Sequence, residues 1–573
     1  MKIILGINCY HADSSACIIK DGQIIAAIEE ERINRIKHWA GFPLYSIIEC
    51  LKISNLRAED ITDIAINTNP RSNLYGKVIF FLKKYLFSQK IYEIFFRYKN
   101  KIAVKNLLYK KFSFSKNLKF HYVDHHISHI ASAFYPSKFE KAIGLTIDGS
   151  GDFSTLTISE CSKNNIKIIK KILFPNSLGI FYEAMTQFLG FKNYGDEYKI
   201  MGLAPYGKPI YQEKIEKNII IHDKKDFFKL NLNFFNHTKK KFEYKFNGKP
   251  NQNRIFNNKI LSLFEDEDIN DIDFKKNFAS SVQKVYEKLF LNIINFIKKN
   301  DFSKNLIFAG GCALNSSANK FLIYEDNFEN LYIPFSPGDG GGAIGAGMYI
   351  NNKYQIDFKN NFTPYLGNSY TDDEVFDVIR LIKNEIDYEK FNSQNELISC
   401  AVEMLIDQKV IGWFQGKMEF GPRALGNRSI LADPRDKGMK DIINLKIKKR
   451  ESFRPFAPSI LEDEKKLWYT KNNFKNFYMS SVEEVKNEKL NLLGAVTHVD
   501  NSGRVQDVSR ELNPLYYELI YQFFLKTKVP VLLNTSFNEN EPIVRSPNEA
   551  IECLIRTDLD ALFINNYKII KKK

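Results

Sequence analysis

Residues 3–30 read IILGINCYHADSSACIIKDGQIIAAIEE. The apolar run Ile3–Ile7 predicts a buried strand and the polar segment Asn8–Ser15 a loop. Ala16–Lys20 and Gln23–Glu30 predict two further strands, joined by Asp21-Gly22, a strong signal for a tight hairpin. From Ala142 the pattern returns as AIGLTI, DGSGDFS, TLTISE, a polar turn and IKIIKK. Twice, a loop rich in Asp, Ser and Gly joins the first two strands of a meander, and backbone N–H groups in such loops can face phosphate oxygens. This duplication is what a two-lobed fold with a nucleotide cleft produces.

Between the repeats, Asn69–Leu118 is basic and aromatic and reads as a helical insertion, including an amphipathic helix at Lys77–Phe87. Gln212–Lys259 is patterned only for loops and edge strands. Phe274, Phe278, Val282, Val285, Leu289, Ile293 and Phe296 then recur at spacings of three and four, predicting a long amphipathic helix. Strands NLIFA and LYIPF alternate with helical segments, indicating a parallel α/β core. A chain of 573 residues exceeds one hydrophobic core. The expected division is a domain over 1–350, a polar linker over 351–373, and a smaller α/β domain over 374–573 with strands VIGWF and VPVLLN.

The net charge is +15, from 82 basic and 67 acidic side chains, and mean hydropathy is −0.31. A basic patch favours nucleic acid or anionic substrates. The lysines here are scattered through an Ile-, Asn- and Phe-rich chain, so biased composition is the stronger reading and no nucleic-acid partner is expected. The seven cysteines are dispersed with no CxxC pair, which argues for a reducing compartment. The N-terminus reads as a strand rather than a signal peptide, and no run reaches the ~18 apolar residues of a membrane span. A cytoplasmic protein with no membrane partner is expected, with a homodimer as one possible assembly.

Four of the nine histidines lie within residues 121–129, HYVDHHISH. On a helix, His125 and His129 sit one turn apart on one face, so two imidazoles can converge on one ion, while His126 faces away. Asp148 and Asp339, at strand-end loops, are the candidates to complete the set. Mixed nitrogen and oxygen ligands suit Fe, Mn or Zn over Ca or Mg. The competing reading is a helix with surface histidines and two ordinary loop aspartates. His11, beside Asp13 and Ser14 in the first loop, is a candidate general base or a histidine capping its own turn.

GLAPYGKP (Gly202–Pro209) resembles a phosphate loop until Pro209 replaces the metal-binding hydroxyl, so that reading is rejected. GGGAIG (Gly340–Gly345) fits a dinucleotide motif, but no βαβ unit with a ribose-binding acid follows. A Gly-rich helix start still suits phosphate, and with Gly310, Gly311 and Asn315 it would line an adenosine pocket. Lys199 either contacts phosphate in the cleft or lies on a helix surface. Arg423, Arg428, Arg435, Arg450 and Arg454 sit among Gly, Pro and Asn, as in loops built around anions, where the guanidinium fork grips phosphate or carboxylate.

The ordered motifs GINCYHADSSACIIKDGQIIAAIEEERINRIKHWAGFP, VDHHISHIASAFYPS, TIDGSGDFS, GDEYKIMGLAPYG, AGGCALNSSAN, SPGDGGGAIGAG, GPRALGNRSILADPR, FRPFAPSIL and NTSFNENEPIV resemble the O-carbamoyltransferases of antibiotic and nodulation-factor biosynthesis. The resemblance implies an actin/hexokinase-like N-terminal domain, similar to enzymes that transfer threonylcarbamoyl to tRNA, and a C-terminal domain similar to the adenylate-forming fold. It implies that ATP, with Mg2+, and carbamoyl phosphate give carbamoyl-adenylate and pyrophosphate in the C-terminal domain. There Arg423, Arg428, Arg435, Lys449, Arg450, Arg454, Asn534, Thr535 and Ser536 are the candidate phosphate holders. The adenylate would then bind in the N-terminal cleft, its adenosine near Gly310, Gly311 and Asn315, beside a divalent transition metal, Fe(II) by resemblance, on His125, His129, Asp148 and Asp339. A hydroxyl of a sugar, glycan or natural product would attack, with His11 as base. The first loop departs from the family's His-Asp pair, since Ala12 separates His11 from Asp13. Two other readings are a tRNA-modifying transferase and a metal-dependent ATP-binding regulatory module.

Overall fold

The computed structural model describes residues 1–85, 104–239, 244–245, 247–300, 302–324, 328–359, 362–470 and 474–572. Contacts divide the chain into two units. Unit 1 comprises Met1–Glu31 and Ile36–Phe362; unit 2 comprises Arg32–Arg35 and Thr363–Lys573.

Unit 1 contains two five-stranded mixed sheets of identical topology. In the first, β1 (Ile3–Asn8), β2 (Ser15–Lys20) and β3 (Gln23–Glu29) form the antiparallel meander, and β4 (Asp63–Ile66) and β5 (Lys119–Tyr122) add in parallel on the other side of β1. Every residue of β1 is buried, as suits a central strand covered on both faces. Asp21 (φ 45°) and Gly22 (φ 81°) are both left-handed, the conformation a two-residue hairpin requires. Helix α1 (His125–Ser137) follows β5. The second sheet repeats the plan: β6 (Lys141–Gly151), β7 (Ser154–Ser162) and β8 (Asn165–Leu173) form the meander. Helix α2 (Ile272–Lys299) carries the chain to β9 (Asn305–Ala309) and β10 (Asn330–Tyr332), which add in parallel on the free side of β6. Helix α3 (Gly342–Lys353) packs on both β1 and α1.

Two expectations are corrected. The loop expected at Asp148–Ser154 is mostly strand, because β6 runs on to Gly151. Its pairing with β7 breaks between Ile147 and Gly151, so the extra residues bulge and Asp148 is turned out of the ladder. Gln212–Lys259 opens with a helix, Gln212–Ile219, before its hairpin of Ile220–Asp223 with Phe227–Leu230. The glycines of GGGAIG meet protein rather than open space. A Cβ on Gly341 would lie 2.0 Å from the Ser336 carbonyl oxygen, and one on Gly345 only 1.8 Å from that of Ser128 in α1. In the first insertion Leu74–Tyr85 and 104–111 are helical; residues 86–103, which include the end of the helix expected at Lys77–Phe87, lie outside the described residues.

Unit 2 is built on an eight-stranded mixed sheet. Its strands run in the order Ile386–Lys390, Tyr567–Lys571, Ala561–Ile564, Ile411–Phe414, Arg428–Ala432, Val531–Ser536, Ala457–Leu461 and Gln506–Val508. Trp413, Phe523, Phe537 and Phe563 lie in its core. No helix among the described residues is long and apolar enough to cross a membrane. The cysteines are all free.

Candidate functional site

Asp124 caps α1 by accepting hydrogen bonds from the backbone N–H groups of His126 and Ile127. Asp152 accepts the N–H of His125 at 3.0 Å. This fixes the first turn, and His125 and His129 project together. Their Nε2 atoms are 3.0 Å apart. Asp148 Oδ2 lies 3.0 Å from Nε2 of His125 and 3.4 Å from Nε2 of His129; Asp339 Oδ1 lies 3.3 and 3.5 Å from the same atoms. All four donor atoms fall within 4.8 Å of one another. Bonds of about 2.1 Å to a tetrahedral ion place ligand atoms about 3.4 Å apart, so two neutral nitrogens and two carboxylate oxygens at these spacings fit a transition-metal centre.

The surroundings aim the carboxylates. Asp148 Oδ1 accepts the N–H of Gly149 at 2.8 Å and of Gly311 at 3.2 Å, which leaves Oδ2 for the imidazoles. Such outer bonds orient ligating groups. Burial opposes ionisation of Asp148, yet His125 and His129 hold its carboxyl well below the usual range. Burial and the charge of Asp148 likewise oppose that of Asp339, and the same two imidazoles outweigh them. Burial also works against charging His125, but the two carboxylates push it well above its ordinary value. Without an ion the cluster is therefore a mutually neutralising charge set, and a divalent cation takes the place of the imidazole protons. His126 points elsewhere, its Nδ1 2.6 Å from the Thr146 hydroxyl, and burial followed by the charges of its two neighbours lowers it to about 4.

The His11 ring stacks obliquely on His125, centroids 4.7 Å apart. Asp13, the acid beside it in sequence, places Oδ1 2.8 Å from Nδ1 of His38. Gly310 (φ 93°) abuts β6, where a Cβ would sit 2.3 Å from the Ile147 carbonyl oxygen, so the Gly310-Gly311 turn serves first to seat Asp148. Asn315 exchanges hydrogen bonds with Gln283 and caps the following helix at Ala318. Lys199 Nζ lies 3.2 Å from Asp196.

In unit 2 several of the chosen phosphate holders are engaged by the protein. Arg428 is fully buried, 3.5 Å over the Phe414 ring, and donates to the carbonyls of Gln415, Asn427, Asn368 and Gly416. Arg435 clamps Asp433 at 2.6 Å. Lys449 pairs with Glu539, and the Asn534 amide donates to Ser459 and Gln506 inside the sheet. Thr535 is opposite Ile430 in the ladder. Arg423, Arg450 and Arg454 are half-buried; Arg450 Nε donates to Asn444 at 2.7 Å, and Arg454 lies 3.6 Å from Glu451. Two residues absent from the sequence reading stand out instead. Lys448 is buried and its Nζ donates to the Ser536 carbonyl and to both oxygens of Asn538. Arg504 feels the charges of Arg423, Arg450 and Arg454. Neither was legible, since Lys448 is one of three lysines in KIKK and Arg504 lies outside the arginine-rich run.

Family profiles described as Carbamoyltransferase N-terminus and Carbamoyltransferase C-terminus match residues 3–348 and 402–571. The chain is 37% identical to the uncharacterized protein sll1178 of Synechocystis, covering all of this chain and 97% of that one. It is 35% identical to the nodulation protein NolNO of Sinorhizobium fredii, over 99% of this chain and 80% of the relative. The 3'-hydroxymethylcephem-O-carbamoyltransferase of Amycolatopsis lactamdurans is 32% identical over 41% of this chain and 42% of its own length.

Proposed function

The chain belongs to the carbamoyltransferase family and is an enzyme, and from that premise we propose that it is an ATP-dependent O-carbamoyltransferase acting on a hydroxyl of a sugar, glycan or natural product. One carbamoyl phosphate, one ATP and one water give carbamoyl-adenylate, pyrophosphate and inorganic phosphate. The acceptor hydroxyl then attacks the carbamoyl carbon, the bond to the adenylate oxygen breaks, and AMP leaves. The observation that carries this reading is the buried convergence of His125, His129, Asp148 and Asp339 next to His11.

In unit 2, Arg423, Arg450 and Arg454 face the phosphates, while Arg428 and Arg435 brace the loops that present them. Lys448 ties the Ser536–Asn538 turn in place. In unit 1, adenosine lies along Gly310 and Gly311, with Asn315 and Lys199 shaping the wall. A divalent transition metal held by the four-residue set would supply Lewis-acid polarisation of a carbamoyl or phosphate oxygen. His11 takes the proton from the attacking hydroxyl. Adenylation matters because AMP is a good leaving group and a large handle whose binding energy positions the carbonyl.

The test is direct. Incubation with ATP, carbamoyl phosphate and Fe(II) yields pyrophosphate, and AMP once an acceptor is supplied. Recovery of ADP in place of AMP and pyrophosphate defeats the proposal.

A further inference from the structure

The helix Leu74–Tyr85, LYGKVIFFLKKY, is held to unit 1 by one of its sides. Gly76 abuts Leu173, where a Cβ would lie 2.9 Å from Cδ1, and the Phe80 ring meets Phe153 and Phe174 edge-on at 5.6 and 5.3 Å. The Asn73 amide, just before the helix, donates to the Asp152 carbonyl and the Ser154 hydroxyl. The Asp152 carboxylate accepts the Thr68 hydroxyl and the Asn69 N–H, so the residue that fixes the first turn of α1 also fixes the approach to this helix. The other side carries Leu74, Tyr75, Val78 and Leu82, exposed by 51, 82, 52 and 52%. With 3.6 residues per turn these four share one arc of about 100°, away from Gly76 and Phe80. A solvent-facing arc of leucine, valine and tyrosine inverts the usual order of a surface helix, and such patches mark contact with another body.

The charge around the helix says which body. Between Asp63 and Asp124 the sequence holds 13 Lys and Arg and a single acid, Glu93. That stretch carries +12 of the net charge of +15, so the excess is concentrated here rather than scattered. Arg71 is exposed three residues before Leu74, Lys77 Nζ donates to the Pro70 carbonyl at 3.0 Å, and Lys171 Nζ donates to Asn73 Oδ1 at 3.0 Å. A nucleic acid would use these cations but gains nothing from an exposed Leu-Val-Leu stripe, and a second copy would set equal positive charge against itself. An anionic bilayer uses both: the apolar side chains enter the boundary of the acyl chains while the cations meet the headgroups. We propose that the helix Leu74–Tyr85 docks unit 1 on an anionic lipid surface as a peripheral contact, against the expectation of no membrane partner. The helix lies in the interface and does not cross it, and the proposal stands apart from the carbamoyl-transfer reading.

The full chain is sedimented with vesicles of mixed phosphatidylcholine and phosphatidylserine, and with vesicles of phosphatidylcholine alone. It binds the anionic vesicles, less so as salt is added, and leaves the neutral ones in suspension. Val78→Ser combined with Leu82→Ser keeps every charge and weakens vesicle binding by about tenfold or more, because two apolar side chains no longer leave water on docking. Both positions face outward, so the thermal unfolding transition of the double variant stays where it was. Tyr75→Ser, at the most exposed position, repeats the measurement if the double variant does not fold. Binding that is absent, equal on neutral lipid, or unimpaired in these variants overturns the proposal. So does a natural chain that ignores lipid but is dimeric and becomes monomeric on the same substitutions, since the face then joins two copies. Retention on RNA without retention on anionic vesicles assigns the charge to nucleic acid and overturns it as well.

Discussion

Asp13 and His38 come from loops 25 residues apart, and both hold left-handed backbone, φ 52° and 55°. Such strain persists only where surrounding contacts over-determine it. Here the Asp13–His38 bond does so, with the His38 N–H donating to Glu31 at 2.7 Å. Burial works against the charged imidazole, but Asp13 and then Glu31 carry His38 up to about 9. A histidine raised above its unfolded value of 6.5 stabilises the fold fully below pH 6.5, and that stabilisation disappears as pH climbs through 9. The side chains are about a third exposed, so the contribution is about 1–2 kcal/mol after screening. The unfolding midpoint of unit 1 therefore falls between pH 6.5 and 9.5, and Asp13→Asn flattens that slope; an unchanged slope refutes the pairing. The same pair explains why the first loop was only half legible. The sequence sets Asp13 beside His11, but the fold turns its oxygen toward a residue beyond the hairpin. His11→Asn is expected to abolish carbamoyl transfer by about 100-fold or more while ATP–pyrophosphate exchange stays intact, measured as separate half-reactions. Equal loss of both contradicts a base role confined to transfer.

At the level of elements, the meanders were readable because a period of two and an Asp-Gly turn are local signals. The bulge in β6 was not, since nothing local says that Asp148 leaves the ladder. It depends on the N–H groups of Gly149 and Gly311, the latter from a segment more than 160 residues away. The glycine run before α3 fits a dinucleotide motif in sequence without saying what it approaches, for a related reason. Glycine signals close approach without saying to what, and here the approach is helix to helix. A Cβ on Gly345 would meet a backbone oxygen of α1, which cannot yield, while one on Gly347 would meet the Ile19 side chain at 2.8 Å, which can. Gly345→Ala is thus expected to cost about 3 kcal/mol or more by forcing α1 and α3 apart, and to displace His129 with it. Gly347→Ala costs distinctly less. Denaturant unfolding and metal content by elemental analysis check both; equal effects would mean that the helix contact is not what holds the histidines.

Across the whole molecule, the ligands of the candidate centre lie at residues 125, 129, 148 and 339, all within unit 1, and the arginines lie at 423–504, within unit 2. The family resemblance reaches nearly end to end because those blocks occur in order. The lone arginine and the buried lysine escaped because their roles depend on burial, which no motif records. The separation has a consequence for chemistry. If adenylation uses unit 2 and transfer uses the four-residue set, removing the transition metal stops one and spares the other. Protein stripped with a chelator, then supplied with Mg2+ alone, keeps ATP–pyrophosphate exchange with carbamoyl phosphate present and loses acceptor carbamoylation, which Fe(II) restores. His129→Ala behaves as the stripped protein and is not restored, because one of two nitrogens is gone. Were exchange to vanish with the transition metal and return only with it, the centre would serve the first half-reaction, and the assignment of one step to each unit would fail.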